Sequence, residues 1–338
     1  MKPTLVSMTL MLLAGQALAG TEIQGATQNG IFYEGSDTGT GANVLISDGG
    51  NDMSTNSVYG CRNSTTTSVA SGNVVTMTGG QVNNVYGAYW AYGAENNTVI
   101  VTGGTIKYTL CAGYANKKAS YTRDNSVYLL GEGATATIEG TQYTGQAGIS
   151  IGTVSPGFHS YQAQSTGNAL NIYGTGISIG TIDSYAVQEI NFYMTSAIHS
   201  GGTMVNMGES LTLGNVEVNI NALAADWIDD FTDETGACDI TLLSQLEGIG
   251  NTVFSFAGME AGGDFTLTGT NADYSGRFIG FLANPEQLEN RQMAVVLQGG
   301  ALKLMGKGIS KTAHSTPEPA TGTLSLLALA GLCMRRRR

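Results

Sequence analysis

The sequence predicts an all-β protein: a right-handed parallel β-solenoid, followed by a β-rich C-terminal segment and a short C-terminal apolar helix. Glycine accounts for 48 of 338 residues, about twice its usual share, and charged residues for only 12%, about half of theirs. Hydrophobic residues make up 42% and alternate with polar ones, which favours strands over disorder. The third observation is that segments recur at spacings of 24 to 28 residues, a period typical of stacked repeat architectures.

The repeats define the strands of the solenoid. The segment NVVTMTGGQV, residues 73–82, returns as NTVIVTGGTI at 97–106, and a further copy starts at Asn125. A second family, GISIGT, begins at Gly148 and again at Gly176. Each unit reads as an alternating strand, a Gly-Gly corner, a second strand and a loop. Units stacked about 4.8 Å apart would share one continuous core.

The asparagine that opens each copy occupies an equivalent corner. We therefore expect Asn73, Asn97 and Asn125 to form a ladder of side-chain hydrogen bonds along the stack. The pattern does not fix which side of each strand points inward, since Val99 and Ile100 lie on opposite faces. A two-sheet sandwich built from hairpins remains the competing architecture, because the spacing between the better copies is irregular.

The solenoid is expected to span residues 20–210, because the repeat pattern changes near Leu211. Residues 211–306 contain six strand candidates and, near their start, the most acidic stretch of the chain. This segment would be either a β-sandwich-like unit or further solenoid turns with a capping role, since an open coil end exposes unpaired strand edges. Residues 307–316 read as a polar linker.

The N-terminal 19 residues have the pattern of a cleaved secretory signal. Lys2 precedes an apolar stretch, and Ala17-Leu18-Ala19 is an A-x-A site for signal peptidase. The expected mature N-terminus is Gly20. The sequence thus indicates an exported protein.

The C-terminal 22 residues, 317–338, consist of a proline break, an apolar run and a block of arginines. The prolines end regular structure upstream, and the arginines would hold the chain end on the cytoplasmic side of a membrane. The uncharged run 320–334 would reach roughly 22 Å as a helix, short of the ~30 Å hydrocarbon core, which suits a transient tether. A permanent single-helix anchor is the alternative. The break and the arginine block comprise Pro317, Glu318, Pro319, Arg335, Arg336, Arg337 and Arg338.

This tail resembles the PEP-CTERM sorting signal of Gram-negative bacteria. The resemblance implies that an exosortase, a membrane protease-transpeptidase, recognises Pro317, Glu318 and Pro319, and that none of the three is catalytic. It further implies transient tethering to the inner membrane, then delivery to the cell surface, the outer membrane or the extracellular matrix. The apolar run of this chain is somewhat shorter than is usual for the family.

The repeat region, residues 40–210, resembles the passenger regions of autotransporter-like surface proteins. The resemblance rests on Asn-x-Val strands, Gly-Gly corners and Val-Tyr-Gly steps, as at Val58-Tyr59-Gly60 and Val85-Tyr86-Gly87. It implies a surface-exposed protein with a role in adhesion or in the structure of the envelope or matrix.

The charge balance argues against nucleic acid as a partner. Without Lys2, the terminal arginines and Glu318, ten basic and 25 acidic residues remain, a net charge of about −15. Such a surface repels nucleic acid and anionic lipid. It is compatible with extracellular polysaccharide, or simply with solubility outside the cell.

Motifs for catalysis or metal binding were weighed and set aside. Gly148-Ile-Ser150-Ile-Gly152 matches a nucleophile elbow, but the same pentapeptide recurs around Ser178, as expected of architecture. The acidic run 226–234 lacks the register of a calcium loop. The best acid–base pair, Arg123 with Asp124, is explained equally by an exposed ion pair. We predict no catalytic residue, metal or cofactor; a polysaccharide-active β-helix enzyme is the alternative.

A set of aromatic residues offers the one candidate ligand site. Tyr86, Tyr89 and Trp90 are predicted to lie at matching places on successive coils, with Tyr108 and Tyr114 in the next repeat. Such a set would form a flat surface for stacking sugar rings. Alternatively, the same rings pack over the corners of the coils and cap the core. The sequence therefore predicts a non-enzymatic surface protein, with a glycan-binding module as a further alternative.

Overall fold

A computed structural model of the chain describes residues 21–24, 31–33, 41–47, 53–62, 68–115, 120–159, 164–222, 238–257, 265–266, 277–281 and 292–307. Within these ranges the protein is all-β with mainly parallel sheets, the arrangement of a β-solenoid-like fold. Over the same ranges there is no helix that is long and apolar enough to cross a membrane. The predicted signal peptide with its cleavage site (Ala17, Ala19, Gly20) and the sorting tail lie outside the described residues.

Two long sheets form the sides of the stack. Sheet A has ten strands, in the order β1 (Thr21–Gln24), β3 (Asn43–Ser47), β6 (Val74–Met77), β9 (Thr98–Val101), β12 (Ser126–Leu130), β17 (Ala169–Tyr173), β19 (Glu189–Met194), β22 (Glu217–Ala222), β25 (Val253–Ala257) and β26 (Phe265–Thr266). Sheet B has eleven, in the order β2 (Ile31–Tyr33), β4 (Met53–Arg62), β7 (Gln81–Ala91), β10 (Thr105–Ala115), β15 (Ser150–His159), β18 (Ile177–Ile182), β20 (Thr203–Met207), β23 (Cys238–Leu243), β29 (Ala301–Lys307), β28 (Gln292–Gln298) and β27 (Arg277–Phe281).

Shorter strands complete the coils. Sheet C joins β16 (Ser165–Thr166), β11 (Tyr121–Arg123), β8 (Gly93–Glu95) and β5 (Val69–Ser71). A hairpin is formed by β13 (Thr135–Ile138) and β14 (Thr141–Thr144), and a parallel pair by β21 (Leu211–Thr212) and β24 (Leu246–Gly248). From β3 onward the chain runs from sheet A to sheet B, in several coils through sheet C, and back to sheet A one level further along.

The repeats recognised in the sequence stack in register. β6 pairs in parallel with β9 and β9 with β12, so Val75, Val99 and Val127 lie directly above one another. The parallel pairing does not stop near residue 210: β22 pairs with β19, and β25 with β22. The first part of the 211–306 segment thus consists of further coils, because Val218 and Phe254 continue the same inward row.

The core is a single apolar column between the sheets. Sheet A contributes a row of buried register partners, Val75, Val99, Val127, Leu170, Ile190, Val218 and Phe254. Val99 and Val101 therefore point inward. Ile100, on the opposite face, is also buried, because it lies in a second cluster with Ala136 and Ile138 of the β13–β14 hairpin. The hairpin explains why alternation alone did not identify the inward side.

The predicted asparagine ladder is present and is longer than the repeats suggested. Asn73 Nδ2 donates to Asn97 Oδ1 at 2.7 Å, and Asn97 Nδ2 to Asn125 Oδ1 at 2.9 Å. Asn125 Nδ2 then donates to Asn168 Oδ1 at 2.8 Å, and Asn168 Nδ2 to Gln188 Oε1 at 3.0 Å. The four asparagines are fully buried. The side chains fit because glycine faces two of them: a Cβ on Gly113 or Gly157 would overlap Asn125 or Asn168.

A residue in the left-handed backbone region precedes each rung of this ladder. The turn needs positive φ, which glycine, asparagine and aspartate adopt more readily than other residues. The preceding residues are Gly41, Gly72, Asn96, Asp124 and Gly167, with φ between 53° and 72°. The local rule is therefore a Gly, Asn or Asp followed by the ladder residue and then a strand of sheet A.

Antiparallel strands follow the parallel stack. β29 pairs antiparallel with β23, and β28 with β29, so the C-terminal strands of sheet B cover the edge that β23 would otherwise expose. Val295, Leu302 and Leu304 from these strands are buried in the main core. This arrangement fits the capping role considered for the segment.

Candidate functional site

The outer side of sheet B gathers the predicted aromatic residues. We call the outward-facing side chains of β4, β7, β10, β15 and β18 the sheet-B face. The strands are held with this side outward because Val58, Val85, Leu110 and Val154, which are register partners, are buried in the core. Alternation then turns the residues between them away from the core.

Six rings on this face form a continuous aromatic cluster. Tyr59 and Tyr86 stack with ring centroids 5.3 Å apart and planes within 8°, and Tyr86 is 4.6 Å from Tyr89. Tyr89 stacks on Tyr114 at 4.9 Å, and Tyr114 stacks on Phe158 at 5.0 Å. Trp90 is parallel to Tyr89 at 5.8 Å. Each of these ring pairs lies within the range of favourable aromatic contacts.

A β-bulge positions Tyr89 and Trp90. Between the register pairs Ala88–Gly113 and Ala91–Ala115, strand β7 has two residues where β10 has only Tyr114. Trp90 takes up the extra length with φ of 62°, a conformation unusual for a bulky residue. Its side chain is 40% exposed. Bulges of this kind re-aim side chains at functional sites and strand ends.

The predicted contact residues Tyr86, Tyr89 and Trp90 are therefore brought together, but their rings do not form a flat platform. Most ring faces are used in contacts with neighbouring rings, so the cluster presents edges and hydroxyl groups to solvent. Trp90 is the most exposed of the six rings. The cluster thus combines a capping role over the coils with one exposed indole at its edge.

Burial keeps the tyrosine hydroxyls protonated. Desolvation, followed by the nearby Cys111 and tyrosine groups, raises the pKa of Tyr86 well above its ordinary value of 10.0. Desolvation also raises the pKa values of Tyr89 and Tyr114. The buried Cys111 thiol has its pKa raised to about 12, again mainly by desolvation. At neutral pH these groups are hydrogen-bond donors without charge, and the thiol is unreactive.

Two cations border the aromatic residues. The guanidinium of Arg62 lies 5.8 Å from the ring centre of Tyr59, and the Nζ of Lys107 lies 5.0 Å from that of Tyr108. Tyr108 is 51% exposed and sits where β10 bulges opposite Asn83. Both distances are within the range of cation–π attraction.

Sequence reasoning missed Tyr59, Arg62 and Phe158 as members of this face. A signal for two of them was available. Tyr59 occupies the same Val-Tyr-Gly step as Tyr86, and Phe158 follows a glycine as Tyr114 does. Arg62 carries no such repeat signal, because its register partner in the next coil is Tyr89.

The remaining aromatic candidates lie elsewhere. Tyr92 and Tyr121 meet edge to face at 6.4 Å beside sheet C, where Arg123 lies over the Tyr121 ring at 5.5 Å. Arg123 also forms an ion pair with Glu95 and lies 3.6 Å from Asp124. The groups of Arg123 and Asp124 are more than half exposed, so the network is a solvated surface feature.

The candidates for catalysis have structural surroundings. Ser150 and Ser178 are exposed register partners on β15 and β18, and neither lies at a strand-to-helix turn. Ser120 Oγ is 2.9 Å from His159 Nε2, but both residues are buried, and desolvation lowers the pKa of the histidine. Among the residues that the structure describes, no three His, Cys, Asp or Glu side chains group as a metal site.

Comparison with known proteins finds no matching family model, no matching curated protein and no matching solved structure. The residues and geometry above are therefore the basis of the proposals that follow.

Proposed function

We propose that this protein is a non-enzymatic, exported surface or extracellular-matrix protein, with a structural or adhesive role. The observation that supports this most is the in-register stack of parallel coils with its buried asparagine ladder. Such a stack is a stiff, elongated scaffold whose side faces repeat along the axis. The right-handed winding expected for parallel crossovers belongs to this proposal as well.

The proposal includes the route of export. Signal peptidase would release the chain before Gly20, and an exosortase-like enzyme would recognise Pro317, Glu318 and Pro319. The apolar run 320–334 would tether the chain transiently in the inner membrane of a Gram-negative bacterium until that step. The final location would be the cell surface, the outer membrane or the extracellular matrix.

Mass spectrometry of the native protein from surface and matrix fractions tests this route. We expect a chain that starts at Gly20 and ends upstream of the terminal arginines. The double variant Pro317→Ala and Pro319→Ala should accumulate in the inner-membrane fraction with its tail intact. The variant Ser310→Ala, in the expected linker, is the control and should be processed normally. Surface material that still carries all four arginines would contradict the proposal.

A panel of polysaccharides tests the non-enzymatic part. Incubation of the purified protein with acidic and neutral polysaccharides should release no oligosaccharides or unsaturated products. Turnover on any of them would instead favour the polysaccharide-active enzyme.

A further inference from the structure

The sheet-B face differs in charge from the rest of this acidic protein. The chain as a whole has 26 acidic and 15 basic residues, yet β4, β7, β10, β15 and β18 contain no Asp or Glu. The same strands carry Arg62 and Lys107, both exposed. Asp183 follows β18 directly and marks the end of the face on that side. Sheets A and C, in contrast, carry Glu189, Glu217 and Glu95.

Two rows of neutral hydrogen-bonding side chains run along the same face, one residue for each coil. Their members occupy matching register positions on consecutive strands, so each row advances by about 4.8 Å per coil and extends for about 20 Å. The inner row is Ser57, Asn84, Thr109, Thr153 and Thr181. The outer row is Gln81, Thr105, Ser150, Ser178 and Asn206.

The rows combine with the aromatic cluster and the two cations. Hydroxyl and amide groups dominate the middle of the face, and the exposed indole of Trp90 stands at one side of it. Arg62 and Lys107 lie at different levels of the stack. A ligand that covers this face meets many neutral polar groups, a few aromatic groups and only two positive charges.

We propose that the sheet-B face binds an acidic polysaccharide that lies along the solenoid axis. A polymer rich in hydroxyl groups matches the two polar rows, and a pyranose unit advances by a length similar to the spacing of the coils. Carboxylate groups at intervals match Arg62 and Lys107, and the absence of carboxylates from these strands removes local repulsion. A nucleic acid carries a phosphate at every nucleotide and needs a denser set of cations.

The proposal extends the exported scaffold proposed above and rests on it, because the ligand is extracellular. The two are tested separately. Location and processing are read from cell fractions, whereas binding is read from purified mature protein. A protein that reaches the surface and binds no polysaccharide would overturn the binding site alone.

The experiment measures the affinity of the mature protein for polygalacturonate, an unbranched polyuronate, with dextran as the neutral reference. The variant Arg62→Gln with Lys107→Gln removes both cations of the face. Its control, Arg123→Gln with Lys303→Gln, removes two cations from sheet C and from β29. We expect the first pair to weaken binding at least about tenfold, since each loses a charge-assisted contact, and the control to bind as the wild type does.

A second pair of variants tests the face without touching the cations. Ser150→Glu with Ser178→Glu places two carboxylates in the outer row, at exposed positions. Thr135→Glu with Thr137→Glu adds the same charge at exposed positions of the β13–β14 hairpin. The serine variant should lose binding by at least about tenfold through like-charge repulsion, and the threonine variant should keep it.

Several results would overturn the proposal. They are a loss of binding that is equal in the control variants, binding of dextran as strong as that of polygalacturonate, and no binding of polygalacturonate at all. Self-association of the wild-type protein that disappears in the Ser150→Glu, Ser178→Glu variant would instead identify a second copy of the chain as the occupant. Circular dichroism of each variant establishes that its fold is retained.

Discussion

At the residue scale, the asparagine ladder concentrates buried polar groups on a few side chains. Asn125 Oδ1 accepts hydrogen bonds from the backbone nitrogen and the Nδ2 of Asn97, at 3.1 and 2.9 Å. Its own Nδ2 donates to the carbonyl of Ala94 and to Asn168, both at 2.8 Å. No water reaches this position, so each partner depends on the amide.

We expect Asn125→Ala to lower the free energy of unfolding by about 2–4 kcal/mol, because it leaves several buried groups without partners, at roughly 1–3 kcal/mol each. Urea denaturation would show a lower midpoint with an unchanged slope. Asn206→Ala, at an exposed position of β20, is the control and should stay within about 0.5 kcal/mol of the wild type. Equal shifts for the two variants would contradict the role given to the ladder.

A pair of carboxylates on sheet A makes stability depend on pH. Glu189 and Glu217 are register partners on β19 and β22. Burial and then the charge of Glu217 raise the pKa of Glu189 above its ordinary value of 4.5. The folded protein therefore binds more protons than the unfolded chain just above that value, and stability falls as the pH rises through this range.

We expect Glu189→Gln to remove this dependence, so that the variant gains stability relative to the wild type as the pH rises from 4 to 7. Thermal unfolding across this range measures the effect. Glu247→Gln, at an exposed position of β24, is the control for the loss of one charge. Parallel curves for the wild type and Glu189→Gln would show that the two carboxylates do not repel each other in the folded state.

At the scale of elements, the β13–β14 hairpin acts as a lid on the outer side of sheet A. Ile138 of the hairpin is buried in a cluster with Ile100, Leu130 and Tyr173. Thr98 Oγ1 also donates to Glu139 Oε1 at the hairpin turn, at 2.9 Å. The lid thus covers apolar side chains that point away from the main core.

We expect Ile138→Ala to destabilise the protein by about 2–4 kcal/mol, since a buried isoleucine is replaced by a cavity. Thr137→Ala, on the same strand and exposed, should change stability by less than about 0.5 kcal/mol. Near-ultraviolet circular dichroism should report loosening around Tyr173, whose ring stacks on that of Tyr193 at 4.3 Å. If the two variants unfold alike, the hairpin does not pack as a lid.

At the scale of the whole molecule, the repeats were sufficient to predict the stacked parallel coils and the first three rungs of the ladder. The fourth rung was hidden because the hairpin is inserted between Asn125 and Asn168, which are 43 residues apart instead of 24 or 28. The fifth is a glutamine, Gln188, and gives no asparagine signal. Ladder positions follow a Gly, Asn or Asp with positive φ, and that pair of residues is the signal that would have found Asn168.

The candidate site was predictable only in part. The strand register that aligns Tyr59 with Tyr86 follows from the repeat, but the bulge at Trp90 depends on a one-residue difference between neighbouring coils. The orientation of the rings depends on side-chain packing among several coils, which periodicity does not encode. The absence of carboxylates from the sheet-B face becomes visible only when its strands, distant in sequence, are placed side by side.

The C-terminal strands allow a last prediction about the whole stack. Leu302 of β29 is fully buried opposite Leu243 of β23, and this contact holds the antiparallel strands over the edge of sheet B. We expect Leu302→Asp to detach β29, because a charge without a partner is costly to bury. The exposed edge of β23 would then pair with other copies, so sedimentation should show self-association that increases with concentration. Lys303→Gln, which loses only the partly exposed pair of Lys303 Nζ with Asp239 Oδ1 at 3.1 Å, should behave as the wild type does. A Leu302→Asp variant no more associated than the wild type would show that this edge needs no cover.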